Sequence, residues 1–263
     1  MPDFTSLSLI QFLSLPIVAA SCIIVLGSAV QSLTGFGFAL VIVPLLLLVL
    51  DSKAIVPISL ILGGVLNLLA LLGNGRLAAA RFNWPLNIGG LAGIPLGTLL
   101  LRALDPVTLR LLVGVTGIVL GLGIARGRIW HFRNLRWASI GVGVLSGALN
   151  SSTSMGGGPV ALFLANQQPD KDGFRVQLLV YILLANAVAL IALVPVGVFT
   201  PDVFWLSLGL VPATLFGLVL GKWLFGRLSA ETFKLTVIGV VIATSAVGAV
   251  TAAIGVLQAV GAI

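Results

Sequence analysis

Two clusters of hydroxyl, amide and glycine residues interrupt an otherwise apolar sequence, and they hold the groups best suited to bind a solute. The first cluster is Gln31-Ser32-Leu33-Thr34-Gly35-Phe36-Gly37, and the second is Asn150-Ser151-Ser152-Thr153-Ser154-Met155-Gly156. Hydroxyls and side-chain amides donate hydrogen bonds without carrying charge, which suits the weak binding of a small anion. Asn67 and Asn186 each lie in the middle of an apolar run, and we expect them to line the same site.

The residues that enzymes most often use are absent from these clusters. The single histidine, His131, lies in a basic loop, and the single cysteine, Cys22, lies in an apolar run. Neither can form a catalytic dyad or a metal cluster within the chain. The seven carboxylates fall in loops or at run ends, where proton coupling through the membrane is not expected. The sequence therefore predicts no enzyme activity, no cofactor and no metal site. It also predicts no buried Arg or Lys, so that helix ends and hydroxyls would hold the anion.

The elements that must position these clusters are membrane helices. Of the 263 residues 59% are hydrophobic and 8% charged, and the mean hydropathy is +1.22. Soluble domains carry about 25% charged residues. Apolar runs fall at 7–31, 36–50, 54–73, 85–103, 109–126, 136–150, 157–167, 174–199, 203–225 and 232–258. This predicts an all-α, multi-pass protein in the lipid bilayer. The net charge of +7 is scattered between the runs, so no nucleic-acid partner is expected.

The basic stretch from Arg126 to Arg136 divides the ten runs into five and five. If this stretch is cytoplasmic and every run crosses the membrane, both termini lie outside. Only Lys53, Arg102 and Arg110 of the fourteen Lys and Arg residues then lie outside, which leaves eleven inside. That distribution follows the positive-inside rule.

The two halves of the chain repeat one another. An offset of 119 (150 − 31) aligns the two clusters and places Asn67 over Asn186, and a later offset of 124 places Gly93 and Gly97 over Gly217 and Gly221. We expect a first repeat at 1–126, a cytoplasmic linker at 127–135 and a second repeat at 136–263. About five hydrophobic segments per repeat would orient the two copies oppositely, as in many secondary transporters. The four glycines are expected to let helices pack closely.

Short, broken or re-entrant helices are predicted at 31–50 and 150–167. Gly156-Gly157-Gly158-Pro159 is a poor helix interior but an acceptable helix start. Two such helices from inverted repeats would direct their amide-rich N-terminal ends toward one central cavity. The candidate binding residues are Gln31, Ser32, Thr34, Gly35, Gly37, Asn67, Asn150, Ser151, Ser152, Thr153, Gly156, Gly157 and Asn186.

The segments GSAVQSLTGFGFALVIVPLLL and SGALNSSTSMGGGPVALFL resemble the paired glycine-rich signatures of the sulfite exporter TauE/SafE family of membrane transporters. The resemblance covers nearly the whole chain. It implies transport of a small sulfur-containing or carboxylated anion, such as sulfite, a sulfonate or a sulfoacetate-like compound, across the cell inner membrane. Phe36 and Phe38 depart from the fuller glycine run of the family, and they are expected to make the first short helix bulkier.

The sequence thus favours a secondary transporter for a small anionic solute. A passive anion channel is the main alternative, because no coupling group is evident, and a non-transporting assembly or receptor component is a third. The sequence does not select the substrate, the direction of transport or the coupling ion. It also leaves open whether the chain forms a homo-oligomer.

Overall fold

A computed structural model describes residues 15–74, 83–126, 134–167 and 171–225, together with Gly239. Its helices are α1 Leu15–Thr34, α2 Phe38–Leu46, α3 Ile55–Asn74, α4 Trp84–Ala103, α5 Pro106–Arg126, α6 Leu135–Thr153, α7 Gly157–Ala165, α8 Lys171–Leu193 and α9 Pro201–Phe225. The all-α prediction is confirmed for this part of the chain. Most of the predicted linker, and all of the last apolar run except Gly239, lie outside the described residues.

Six of these helices are long and apolar enough to cross a membrane, judged by length and composition: α1, α3, α4, α5, α8 and α9. Large apolar side chains cover their outward faces. Leu72, Trp84, Ile191, Phe216 and Val219 are each more than 60% exposed. A water-soluble protein rarely exposes so much contiguous apolar surface, whereas lipid tails accept it. The prediction of a multi-pass membrane protein is confirmed.

Helices α2 and α7 are half-length. Each has nine residues, which rise about 14 Å and cover roughly half of the ~30 Å hydrocarbon layer. The prediction of short helices at 31–50 and 150–167 is confirmed, and neither helix is long enough to cross the layer by itself. Seven of the nine residues of α2 and six of the nine residues of α7 are buried, because each helix is apolar on all sides and is enclosed by longer helices. Leu40, Ile42 and Leu46 of α2 pack with Ile24 of α1 and Ile58 of α3.

Two helix pairs hold the first and second halves of the chain together. Helix α4 packs along α6, and α1 packs along α9. A Cβ atom added to any of four glycines would overlap the neighbouring helix, and the contacts are Gly93 with Val144, Gly97 with Ala148, Gly217 with Val25 and Gly221 with Ala29. The partner positions differ by the repeat offset, since 144 − 25 and 148 − 29 both equal 119. The predicted role of these glycines in close helix packing is confirmed.

Candidate functional site

The two broken helices end in the same way. At the end of α1, Gly35 has a φ of 79° and its N–H donates to the carbonyl of Gln31 at 2.8 Å. At the end of α6, Ser154 has a φ of 62° and its N–H donates to the carbonyl of Asn150 at 2.9 Å. These positions are again 119 residues apart. A left-handed residue terminates an α-helix, so the local backbone explains both breaks.

Helices α2 and α7 begin immediately after these breaks, and no side chain caps either start. The N-cap residues are Gly37 and Gly156, and neither first turn receives a side-chain hydrogen bond. Pro159 lies in the first turn of α7, where its missing N–H is harmless. The N-terminal end of a helix carries about half a positive charge and attracts anions.

A cavity of about 40 Å³ lies between the starts of α2 and α7, and we call it the central cavity. The following residues line it: Gln31, Phe36, Gly37, Phe38, Ala39, Leu40, Ser59, Gly63, Asn67, Ser154, Met155, Gly157, Gly158, Ile182 and Asn186. Its volume is that of about three water molecules, which is enough for a molecule of a few heavy atoms. Among the described residues that line it, none is charged.

Two buried side-chain pairs flank this cavity. Gln31 Nε2 donates to Asn67 Oδ1 at 2.7 Å, and Asn150 Nδ2 donates to Asn186 Oδ1 at 3.0 Å. Asn186 Nδ2 also donates to the carbonyl of Leu60 at 3.1 Å. Both members of the second pair lie 119 residues after their counterparts, so each half fixes its broken helix to a long helix by an equivalent bond. The sequence analysis paired these positions by the repeat but did not foresee that they would bond to one another.

The hydroxyl of Ser59 was missed by sequence reasoning. Ser59 is 1% exposed and lines the central cavity, and its Oγ has no hydrogen-bond partner among the described residues. An unpartnered buried hydroxyl is costly, and Ser59 differs from the equally unpartnered Ser28 and Thr98 in lining this cavity, where a bound molecule could reach it. One signal was available: Ser59, Gly63 and Asn67 follow one another at four-residue spacing, which places them on one face of α3.

Most hydroxyls of the second cluster do not reach the central cavity. Ser152 and Thr153 donate to the carbonyls four residues earlier in α6, at 2.7 and 2.8 Å. Ser151 donates to the carbonyls of Gly147 and of Ile94 in α4. Hydroxyls inside a helix commonly bond back to their own backbone in this way, which the sequence pattern did not show. Neither Asn150 nor Gly156 lines the cavity. Five predicted residues do line it: Gln31, Gly37, Asn67, Gly157 and Asn186.

A second cavity of about 80 Å³, which we call the basic cavity, is lined by two more of the predicted residues, Ser32 and Gly35. Its lining consists of Gln31, Ser32, Gly35, Leu66, Leu69, Ala70, Gly73, Arg175, Leu179, Leu218 and Lys222. As expected, no Arg or Lys is fully buried among the described residues, but Arg175 is half-buried and its Nε atom is enclosed. The side chain of Thr34 lies outside the described part of the structure.

The two cavities lie among the helices of a membrane protein. No curated protein and no solved structure gives a significant match to the chain. The profile of one protein family, described as Sulfite exporter TauE/SafE, matches residues 20–257. That match covers nearly the whole chain, including both broken helices and both cavities. The chain is therefore a membrane transporter rather than an enzyme, and it belongs to the sulfite exporter TauE/SafE family.

Proposed function

We propose that this chain is a secondary transporter that carries a small oxyanion across the cell inner membrane and binds it in the central cavity. The substrate is sulfite, a sulfonate or a short carboxylate. The observation that carries the proposal is the buried, unpartnered hydroxyl of Ser59 in a cavity that lies against the uncapped starts of two half-length helices.

The chemistry of the lining supports an anion over a cation or a neutral solute. The first turns of α2 and α7 offer backbone amides, and Ser59 offers a hydroxyl. The described lining contains no carboxylate, which a cation would favour. Because donors without full charge hold the anion, its affinity is modest and its release is fast. Sulfite, with four heavy atoms, suits a cavity of about three water volumes.

The two halves, at 1–126 and 136–263, are proposed to be inverted copies that meet at this cavity. Supporting evidence comes from the equivalent pairs Gln31–Asn67 and Asn150–Asn186, and from the matching glycine contacts of α4 with α6 and of α1 with α9. In inverted-repeat transporters, movement of one unit against the other exposes a fixed site to each side in turn.

The orientation we propose places the basic linker in the cytoplasm and both termini outside, with each short helix and the segment after it together completing one crossing. The ends of α3, α5 and α9 and the starts of α4, α6 and α8 then lie on the cytoplasmic side. The positive-inside distribution of Lys and Arg supports this orientation.

Membership of a transporter family does not favour the passive channel. A carrier saturates and exchanges substrate across the membrane, whereas a channel conducts with weak saturation. Purified protein in liposomes should therefore take up labelled sulfite with saturation, and preloaded unlabelled sulfite should accelerate that uptake. A screen of sulfonates, thiosulfate and short carboxylates, with and without sodium and pH gradients, identifies the substrate and the coupling ion. Uptake no faster than in protein-free liposomes for every anion in the screen would refute the proposal.

A further inference from the structure

We propose that Arg175 and Lys222 form a second anion-binding site in the basic cavity, which captures the anion before it enters the central cavity. This inference rests on the proposed function and adds a path by which the anion reaches the central cavity. The site would accept the same small oxyanions, held here by full positive charges instead of helix ends.

The two cavities adjoin one another. The basic cavity has about twice the volume of the central cavity, and Gln31 lines both. The lining of the basic cavity also includes Gly73, near the C-terminal end of α3, and Lys222, in the last turns of α9. The basic cavity therefore extends from the Gln31–Asn67 pair toward the side of the membrane that carries most of the positive charge.

Arg175 is placed to bind an anion rather than to stabilise the fold. Its Nε is buried and has no hydrogen-bond partner among the described residues. Its Cγ and Nε lie 3.6 Å from the position that a Cβ of Gly35 would take, so the side chain lies against the break after α1. A guanidinium in a low-dielectric environment is unfavourable unless an acceptor reaches it. An oxyanion in the basic cavity supplies that acceptor, and a planar guanidinium can bind it through two nitrogens.

The repeat shows that the cations are not needed for packing. The positions equivalent to Arg175 and Lys222 are Val56 (175 − 119) and Thr98 (222 − 124). Both are almost completely buried, and Val56 packs in an apolar cluster with Ile94 and Ala189. In the other half, buried neutral side chains thus occupy the equivalent positions. Of these equivalent positions, only Arg175 and Lys222 combine a charge with an adjoining cavity, as expected for a site that collects anions from one side.

The experiment measures initial rates of sulfite transport against sulfite concentration in inside-out and right-side-out membrane vesicles. The vesicles contain the full-length chain, its Arg175→Gln variant or its Lys222→Gln variant. Loss of a charged hydrogen bond should raise the half-saturating concentration about tenfold when sulfite is presented at the Arg175 face. It should change little when sulfite is presented at the opposite face.

Two variants serve as controls. Arg175→Lys keeps the charge, and it should retain part of the affinity and show that the position tolerates substitution. Arg102→Gln removes one exposed charge near the other face, and it should leave affinity at the Arg175 face unchanged. If wild-type sulfite transport is normal but Arg175→Gln has no effect, or acts equally from both faces, the second site is refuted while the proposed function stands. If the wild-type protein transports no sulfite, sulfite is not its substrate, and the proposed path for sulfite through the basic cavity is refuted as well.

Discussion

The side-chain amide of Gln31 donates to the side-chain oxygen of Asn67 across 2.7 Å, and this bond joins the end of α1 to the middle of α3. The two residues are 36 positions apart, as are Asn150 and Asn186, which join α6 to α8. Each broken helix is thus fixed near its C-terminal end to a long helix of the same half. Gln31 and Asn67 therefore line the central cavity and also join the two helices, α1 and α3, that carry them.

The Gln31–Asn67 bond should show measurable coupling. In a double-mutant cycle of Gln31→Met and Asn67→Leu, we expect a coupling free energy of about 0.6 kcal/mol and at most about 1.7 kcal/mol. Reversible unfolding in detergent or bicelles measures it. Asn87→Leu serves as the matched control, because Asn87 bonds to Asn83 within its own helix region. Coupling between Gln31 and Asn67 no larger than that between Gln31 and Asn87 would contradict the prediction.

Removal of the Ser59 hydroxyl should impair binding but not folding. Since no described protein group bonds to Ser59 Oγ, Ser59→Ala should leave the unfolding midpoint unchanged or raise it slightly. A hydrogen bond to a charged ligand contributes about 1.5–3 kcal/mol, so the half-saturating anion concentration should rise by about tenfold or more. Ser207→Ala is the control, because the hydroxyl of Ser207 donates to the carbonyl of Val203 at 2.6 Å. Equal affinities for wild type and Ser59→Ala would remove Ser59 from the site.

The aromatic ring of Phe36 should limit the size of the transported anion. Phe36 lines the central cavity. Phe36→Ala should widen the cavity, raising the rate for a larger sulfonate relative to the rate for sulfite. Competition between the two anions in liposome uptake measures this ratio. A ratio that stays constant in folded Phe36→Ala protein would show that another residue sets the limit.

A methyl group added at Gly97 should disrupt the close packing of α4 on α6. A Cβ at Gly97 would overlap Ala148 and Ser151, and overpacking of this kind costs about 1–3 kcal/mol. Gly97→Ala should therefore lower the unfolding midpoint. Gly64→Ala is the control, because a Cβ at Gly64 would have no atom of the other described residues within 4 Å, apart from the backbone of its own helix. The packing argument fails if both variants are equally stable.

Much of the fold followed from the sequence because polar residues are rare in lipid-spanning segments. The apolar runs, both breaks and the four packing glycines were all visible, since each leaves a composition signal at a fixed spacing. The length of α2 and α7 was less clear, because apolar residues continue past Leu46 and Ala165 whether or not the helix does.

The site was predicted only in part, because residue type does not show where a hydroxyl points. Ser151, Ser152 and Thr153 have the right chemistry, but they donate to backbone carbonyls. Ser59 was not singled out in the sequence, and Arg175 counted only among the eleven positive charges expected on the cytoplasmic side. Arg175 lies eleven residues before Asn186, about three helical turns, so one face of α8 carries both.

The exchange of packing partners between the halves has a consequence for biosynthesis. Helix α4 leaves the ribosome before α6 has been made, and its glycine-lined surface faces lipid until the second half is inserted. Helix α1 is synthesised even longer before its packing partner α9. Correct assembly of the first half thus depends on residues 51 positions downstream for α4 (144 − 93) and 192 positions downstream for α1 (217 − 25). Truncation after the basic linker should leave the first half exposed to membrane quality-control proteases.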